Sequence, residues 1–185
     1  MLNDVKSDTE SRMKKAIEAL QRELSSVRTG RASPALVERV EVDYYGAMTP
    51  LNQLAGISVP EARLLVIQPW DKGSLQAIEK AIRTADLGVN PTNDGDVIRI
   101  SIPALTEERR KEMVKVVKSK VEDTRVAIRN IRRDAISQVK ELAQEKMISE
   151  DDERRGEQDI QNLTDKYVAR ADAVGKEKED DVLEV

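Results

Sequence analysis

The chain has 185 residues, of which 36% are charged and only 2% aromatic, with no Phe, a single Trp and a formal net charge of −4. So few aromatics cannot fill a broad core; long helices burying narrow aliphatic seams suit the composition better. The absence of both Cys and His excludes disulfides, thiol chemistry, Cys/His zinc sites and the commonest general base.

No apolar run approaches the roughly 18 residues that would cross a bilayer, and the start, MLNDVKSDTESRMKK, carries acids early and lacks the apolar core of a signal peptide. The expectation is a cytoplasmic protein. Neither G-x-x-x-x-G-K-[ST] nor G-x-G-x-x-G occurs, so the chain shows no nucleotide cradle of its own. These absences point to a binding protein without cofactor or metal rather than an enzyme. A carboxylate-dependent hydrolase has only the abundance of Asp and Glu in its favour.

In chain order, Met13, Ile17, Leu20, Leu24 and Val27 step by four and three, the spacing of a coiled-coil-like seam. That first helix is expected to stop near Gly30. VEVDYYG alternates as a strand does, LLVIQPW is a buried-strand run, and VIRISIP is another. Between them GSLQAIEKAIRTADLG sets Leu75, Ile78 and Ile82 on one helical face, with Ser74 as cap and Gly88 as stop. NPTNDGD is turn-forming. Trp70, in QPWDKG, is expected to anchor the core of this region, and Tyr44 and Tyr45 to divide, one inward and one outward.

A second long helix opens after Pro103, with Thr106 as N-cap and Glu107 and Glu108 suited to the positive end of the helix dipole. Val114, Val117, Val121, Thr124, Ile128, Ile131 and Ala135 form its seam, continued by Val139 and Leu142 after a small phase shift; unbroken to about Lys146, it would run roughly 60 Å. A last helix starts at Ser149, with Asp152 three residues on in a capping-box pattern. Ile160, Leu163, Tyr167, Ala171 and Val174 are its seam. Gly156 and Gly175 interrupt it at about 1 kcal/mol each relative to Ala. Val182, Leu183 and Val185 either fray or close the bundle's base.

All six prolines lie between residues 34 and 103, and six of the eight glycines between 30 and 95. Residues 31–103 hold only 16 charged side chains, against 50 in the remaining 112 residues. The reading is therefore α+β: residues 1–30 and 104–185 form a long, discontinuous three-helix bundle, and 31–103 an inserted small β/α/β domain. Two short crossings join them, Thr29, Gly30 and Arg31 on one side and Ile102, Pro103 and Ala104 on the other. Together they make a natural hinge, because few φ/ψ angles need change.

Charge is unevenly spread. Residues 106–148 sum to +4, whereas 149–185 sum to −7. At 100° per residue from Ile128, Arg132, Arg125 and Arg129 fall near 40°, 60° and 100°, with Asp123, Asp134 and Glu141 on the opposite flank and Glu122 as the exception. With Arg133 this makes four arginines in nine residues. Arginine's planar fork suits bidentate phosphate contact, so a polyanion partner explains the pattern. The alternative is ordinary pairing with acids of the last helix. Arg28 and Arg31 either extend the patch or brace the hinge. Few aromatics accompany it, which favours phosphate and shape recognition of folded RNA over base stacking.

RTGRASPALVERVEVDYYG, TPLNQLAGISVPEARLLVIQPWDK, LGVNPTNDGDVIRISIPALTEERRKE and VAIRNIRRDA together closely resemble the ribosome recycling factor family, over almost the whole chain and in order. The resemblance implies an L-shaped, tRNA-like outline and action on the post-termination ribosome with elongation factor G in its GTP-bound form. It implies rRNA contacts of the large subunit at Arg129 and Arg132, then Arg28 and Arg31, with Arg125 and Arg133 by neighbourhood. It also implies a small domain that rotates about the hinge, and a monomer. A self-associating coiled-coil scaffold or chaperone is the competing class.

Overall fold

The computed structural model describes residues 1–27 and 29–184. Helix α1 spans Leu2–Ser25 and buries Thr9, Met13, Ile17, Leu20 and Leu24, the seam read from the sequence with one more turn at its start. It ends five residues before Gly30. Ser25 and Ser26 turn their hydroxyls back on the carbonyls of Arg22 and Glu23 at 2.6 and 2.7 Å. Val27 N–H then bonds Leu24 O in a tighter turn. Such back-bonding competes with helix continuation.

Helix α3 (Glu107–Gln144, 38 residues) starts immediately after Thr106 and runs about 57 Å at 1.5 Å per residue. It buries Val117, Val121, Thr124, Ile128, Ile131, Ala135 and Val139. At its end Lys146 takes a positive φ of 59°. Met147 N–H bonds Leu142 O at 2.9 Å and Lys146 N–H bonds Ala143 O at 3.1 Å, the paired bonds of a Schellman stop. Helix α4 (Glu150–Leu183) is capped by Ser149, whose hydroxyl oxygen accepts from Asp152 N–H at 3.0 Å. It continues through both glycines, with Val182 fully buried and Leu183 exposed; Val185 lies outside the described residues.

Each of these three helices packs on the other two. The buried stripe of α4 is Gly156, Ile160, Thr164, Tyr167, Ala171 and Gly175, which the aliphatic periodicity only partly picks out. A Cβ on Gly156 would sit 2.9 Å from Leu2 Cδ1 and 3.4 Å from Val139 Cγ1. One on Gly175 would sit 2.4 Å from Val121 Cγ2. The glycines expected to weaken the helix instead let neighbouring helices close to van der Waals distance. Their propensity cost is offset by packing.

Thr29–Thr106 is a second compact unit, the first being Met1–Arg28 with Glu107–Val185. Strands β1 (Glu41–Tyr44) and β2 (Ala47–Pro50) form a hairpin, with Glu41 opposite Pro50 and Tyr44 opposite Ala47. Its two-residue loop, Tyr45–Gly46, has φ of 49° and 87°, both positive as a type I′ turn requires. An antiparallel sheet of order β3-β4-β6-β5 comprises β3 (Ala55–Glu61), β4 (Leu64–Pro69), β5 (Pro91–Asn93) and β6 (Ile98–Ser101). β2, β3 and β5 add three strands to those read from the sequence; β3 buries only Ala55, so it carries no apolar alternation to detect.

Alternation is clean in β6, where Ile98 and Ile100 are buried and Arg99 and Ser101 exposed. Helix α2 (Leu75–Thr84) brings Leu75, Ile78 and Ile82 to the same core as Val42, Leu65 and Ile67. Ser74 precedes α2 without a capping bond. Its hydroxyl donates to Asp71 O at 2.6 Å, while the Asp71 carboxylate takes Gly73 N–H at 2.9 Å. The helix ends at Thr84, ahead of Gly88. Trp70 is not a core anchor: it is 69% exposed, because β4 points Leu65, Ile67 and Pro69 inward and Trp70 falls on the other parity. Tyr44 is part-buried against this core and Tyr45 is exposed.

Candidate nucleic-acid interface

The arginine-rich turns of α3 lie along α4. The short link between the two helices makes them antiparallel, and their contacts run in opposite directions along each helix. Val139 meets Gly156, Arg132 meets Gln161, Arg125 meets Asp172, and Val121 meets Gly175. Arg125, Arg129 and Arg132 each follow a buried residue of α3, namely Thr124, Ile128 and Ile131. Gln161, Asp165 and Asp172 each follow a buried residue of α4, namely Ile160, Thr164 and Ala171. One position past the seam is 100° round the helix, so both sets meet along one edge. There Arg129, Arg132, Gln161, Asp165, Val168 and Asp172 line an open groove of about 520 Å3.

The four arginines are not equivalent. Arg125 is held by acids: its Nε donates to Asp172 Oδ1 at 2.7 Å and its Nη1 to Glu122 Oε2 at 2.9 Å, and Nη2 also reaches Asp172. Glu122 and then Asp172 raise its pKa above the ordinary guanidinium value, so pairing with acids is what Arg125 does here. Arg129 has a half-exposed side chain and one loose pair, Nη1 to Glu122 Oε1 at 3.6 Å. Arg132 is part-buried and gives its Nε–H to a neutral acceptor, Gln161 Oε1, at 2.7 Å. Arg133 is exposed, with Asn130 Oδ1 at 3.5 Å. The opposite, acidic flank of α3 faces α1, where Asp134 takes Arg12 at 3.2 Å.

Arg31 is exposed, and its N–H points to Thr29 Oγ1 at 3.4 Å; Arg28 lies outside the described residues. Gly30 has φ of 78°, and a Cβ there would be 3.4 Å from Leu105 Cγ, so the incoming and outgoing chain run side by side at this point. Among the described residues no cluster of carboxylates could hold a metal ion, and no helix is long and apolar enough to cross a membrane.

The family model described as "Ribosome recycling factor" matches residues 20–183. The chain belongs to the ribosome recycling factor family. The ribosome-recycling factor of Thermomicrobium roseum is 58% identical over 185 residues, covering all of both chains. That of Bacillus velezensis is 56% identical, again over the whole of both. Among solved structures, the solution structure of a ribosome recycling factor superposes with a TM-score of 0.79 at 45% identity, covering 100% of this chain and 98% of the other. A second was built for the Thermus thermophilus ribosome recycling factor with Escherichia coli elongation factor G on the E. coli post-termination complex. It gives a TM-score of 0.67 at 49% identity, with full coverage of both chains. The mixed architecture of long helices and a small sheet unit is thus that of the family.

Pairing with acids of the last helix was an alternative open in the sequence, but the individual α4 residues that decide which arginine is compensated, Asp172 for Arg125 and Gln161 for Arg132, were not singled out. The signal was present: Gln161, Asp165 and Asp172 stand one position after seam residues of α4, as the arginines do in α3. Glu122, which departs from the charge pattern of its flank, is the residue that ties up Arg125 and touches Arg129.

Proposed function

We propose that this protein binds the post-termination ribosome and, with GTP-bound elongation factor G, promotes subunit splitting and release of mRNA and tRNA. The observation that carries the reading is the family match over residues 20–183 together with relatives aligned end to end. The protein itself performs no chemistry; the GTP is hydrolysed by its partner, and it works as a cytoplasmic monomer. The bundle, residues 1–30 and 104–185, docks on large-subunit rRNA through Arg129, Arg132 and Arg133, with Arg28 and Arg31 extending the contact. Arg125 contributes least, because its charge is already matched by Glu122 and Asp172. The domain 31–103 pivots about Thr29, Gly30 and Arg31 and about Ile102, Pro103 and Ala104. The positive φ of Gly30, a backbone state open to glycine at little cost, supports this hinge.

Purified protein added to post-termination complexes should release ribosomes from polysomes only when elongation factor G and GTP are both present. No release under those conditions rejects the reading. In large-subunit binding at near-physiological salt, Arg129→Ala and Arg132→Ala should each weaken affinity about tenfold and lower the salt dependence by about one phosphate contact. Arg125→Ala should leave both nearly unchanged.

A further inference from the structure

We propose that Gln161 is a positioning residue for Arg132: it aims the guanidinium at an RNA phosphate while leaving its positive charge uncompensated. The proposal rests on the reading that Arg132 meets rRNA. A flexible arginine at a groove edge loses rotamer freedom when it binds, and a partner that fixes it beforehand removes part of that cost. A carboxylate would fix it more strongly but would also cancel the charge that the phosphate needs.

Two of the three arginines along this edge, Arg125 and Arg132, represent the two solutions. Arg125 is clasped by Asp172 and Glu122. Seven residues on, Arg132 meets an amide instead, with Nε–H to Gln161 Oε1 at 2.7 Å. Among the described residues Arg132 makes no ion pair within 4.0 Å. With Nε engaged, Nη1 and Nη2 form the end of the fork that a phosphate can take bidentately.

The direction of the Gln161 amide is set from behind. Its Nε2 donates to Asp165 Oδ1 at 2.9 Å, which turns the carbonyl oxygen towards Arg132. A reversed amide would set N–H against N–H on one side and oxygen against carboxylate on the other. Asp165 therefore orders the acceptor without touching the guanidinium, and the amide keeps the two charges apart. The result is a chain, Asp165 to Gln161 to Arg132, that starts on one helix and ends at a donor fork on the other. Thr164, immediately before Asp165, is buried and bonds back to Ile160 O at 2.8 Å, so the base of the chain is held within α4.

The test measures large-subunit affinity against salt for Gln161→Glu, Gln161→Ala and Arg132→Ala, with Gln158→Glu as a control. Gln158 is exposed one turn before Gln161 on the same helix and, among the described residues, bonds along that helix to Asn162, so its variant adds the same charge to this edge at a residue that makes no bond to Arg132. Circular dichroism and thermal melting verify folding. Gln161→Glu, nearly isosteric, should weaken binding about tenfold and flatten the salt dependence by about one phosphate, as Arg132→Ala does. Gln161→Ala should weaken binding several-fold at an unchanged salt slope, since orientation is lost and charge kept. Gln158→Glu should bind like the parent. If Gln161→Glu binds normally while Arg132→Ala is weak, or if Gln158→Glu is as weak as Gln161→Glu, the positioning role is wrong and the RNA edge stands. If Arg132→Ala itself binds normally, the RNA reading of Arg132 fails and this role goes with it.

Discussion

The bundle and the sheet unit treat their aromatic residues in opposite ways. The chain has one Trp and three Tyr. In the bundle Tyr167 is fully buried, and its hydroxyl donates to Glu10 Oε1 at 3.0 Å. In the sheet unit Trp70 and Tyr45 are 69% and 79% exposed around Asp71, whose carboxylate accepts from both Tyr44 and Tyr45 hydroxyls. The contrast is one of interior shape. Helices that approach as closely as α3 and α4 do at Gly175 leave little space for large rings, and Tyr167 is the aromatic residue the bundle buries. A thin layer of sheet and helix is filled mainly by Ile, Leu and Val, with Tyr44 packed at its margin and Trp70 and Tyr45 left outside.

The largest expected effect sharpens that difference. Tyr167→Ala should cost about 3–5 kcal/mol in chemical denaturation, as for other fully buried aromatic truncations. Trp70→Ala should cost less than about 1 kcal/mol, in the range of surface substitutions. Equal losses would break the comparison. Since Trp70 is the sole Trp, its fluorescence should already resemble that of a solvent-exposed indole in the native protein and shift little on unfolding.

A smaller effect separates the two glycines. Gly175→Ala forces a Cβ to within 2.4 Å of Val121 Cγ2, on a stiff β-branched side chain, and should destabilise by about 1–3 kcal/mol. Gly156→Ala meets Leu2, at the start of α1, whose longer side chain can move aside. There the gain of about 1 kcal/mol in helix propensity roughly balances the crowding. Thermal melts of the two variants should diverge accordingly; a stabilised Gly175→Ala would show that α3 and α4 are not held at this separation.

The smallest effect belongs to the sheet unit and is read by pH. Asp94 accepts from Val97 N–H, from Arg99 and from Asp96 N–H, in that order of influence, which holds its carboxyl well below the ordinary value of 3.8. A folded pKa lowered in this way contributes stability that is fully present above the unfolded pKa and is lost as pH falls towards the folded one. The turn between β5 and β6 should therefore loosen only below about pH 4, visible in the Val97 amide resonance. In Asp94→Asn that titration should vanish. A Val97 resonance that moves at neutral pH would mean that another group controls the turn.

The helical seams were legible in the sequence because helix periodicity is local. Met13 to Leu24, Val117 to Val139, and Ile160, Tyr167 and Ala171 are buried at the positions their spacing indicates. The cap at Ser149 was equally legible, since a capping hydroxyl reaches only three residues. β2, β3 and β5 were not, because hairpin and edge strands with few buried residues carry no alternating pattern. The arginine cluster was visible as a cluster only.

By itself, then, the sequence determined the elements that depend on neighbours a few residues away: three long amphipathic helices, the cap at Ser149, and a turn-rich insertion with a small helix. The tertiary structure decided what depends on the segment packed opposite. It made Gly156 and Gly175 contact points, turned Trp70 outward, gave Arg125 to Asp172 and Glu122, and left Arg132 with an uncharged partner in Gln161. Burial and charge compensation are pairwise properties, and the second member of each such pair comes from a part of the chain that only folding brings near.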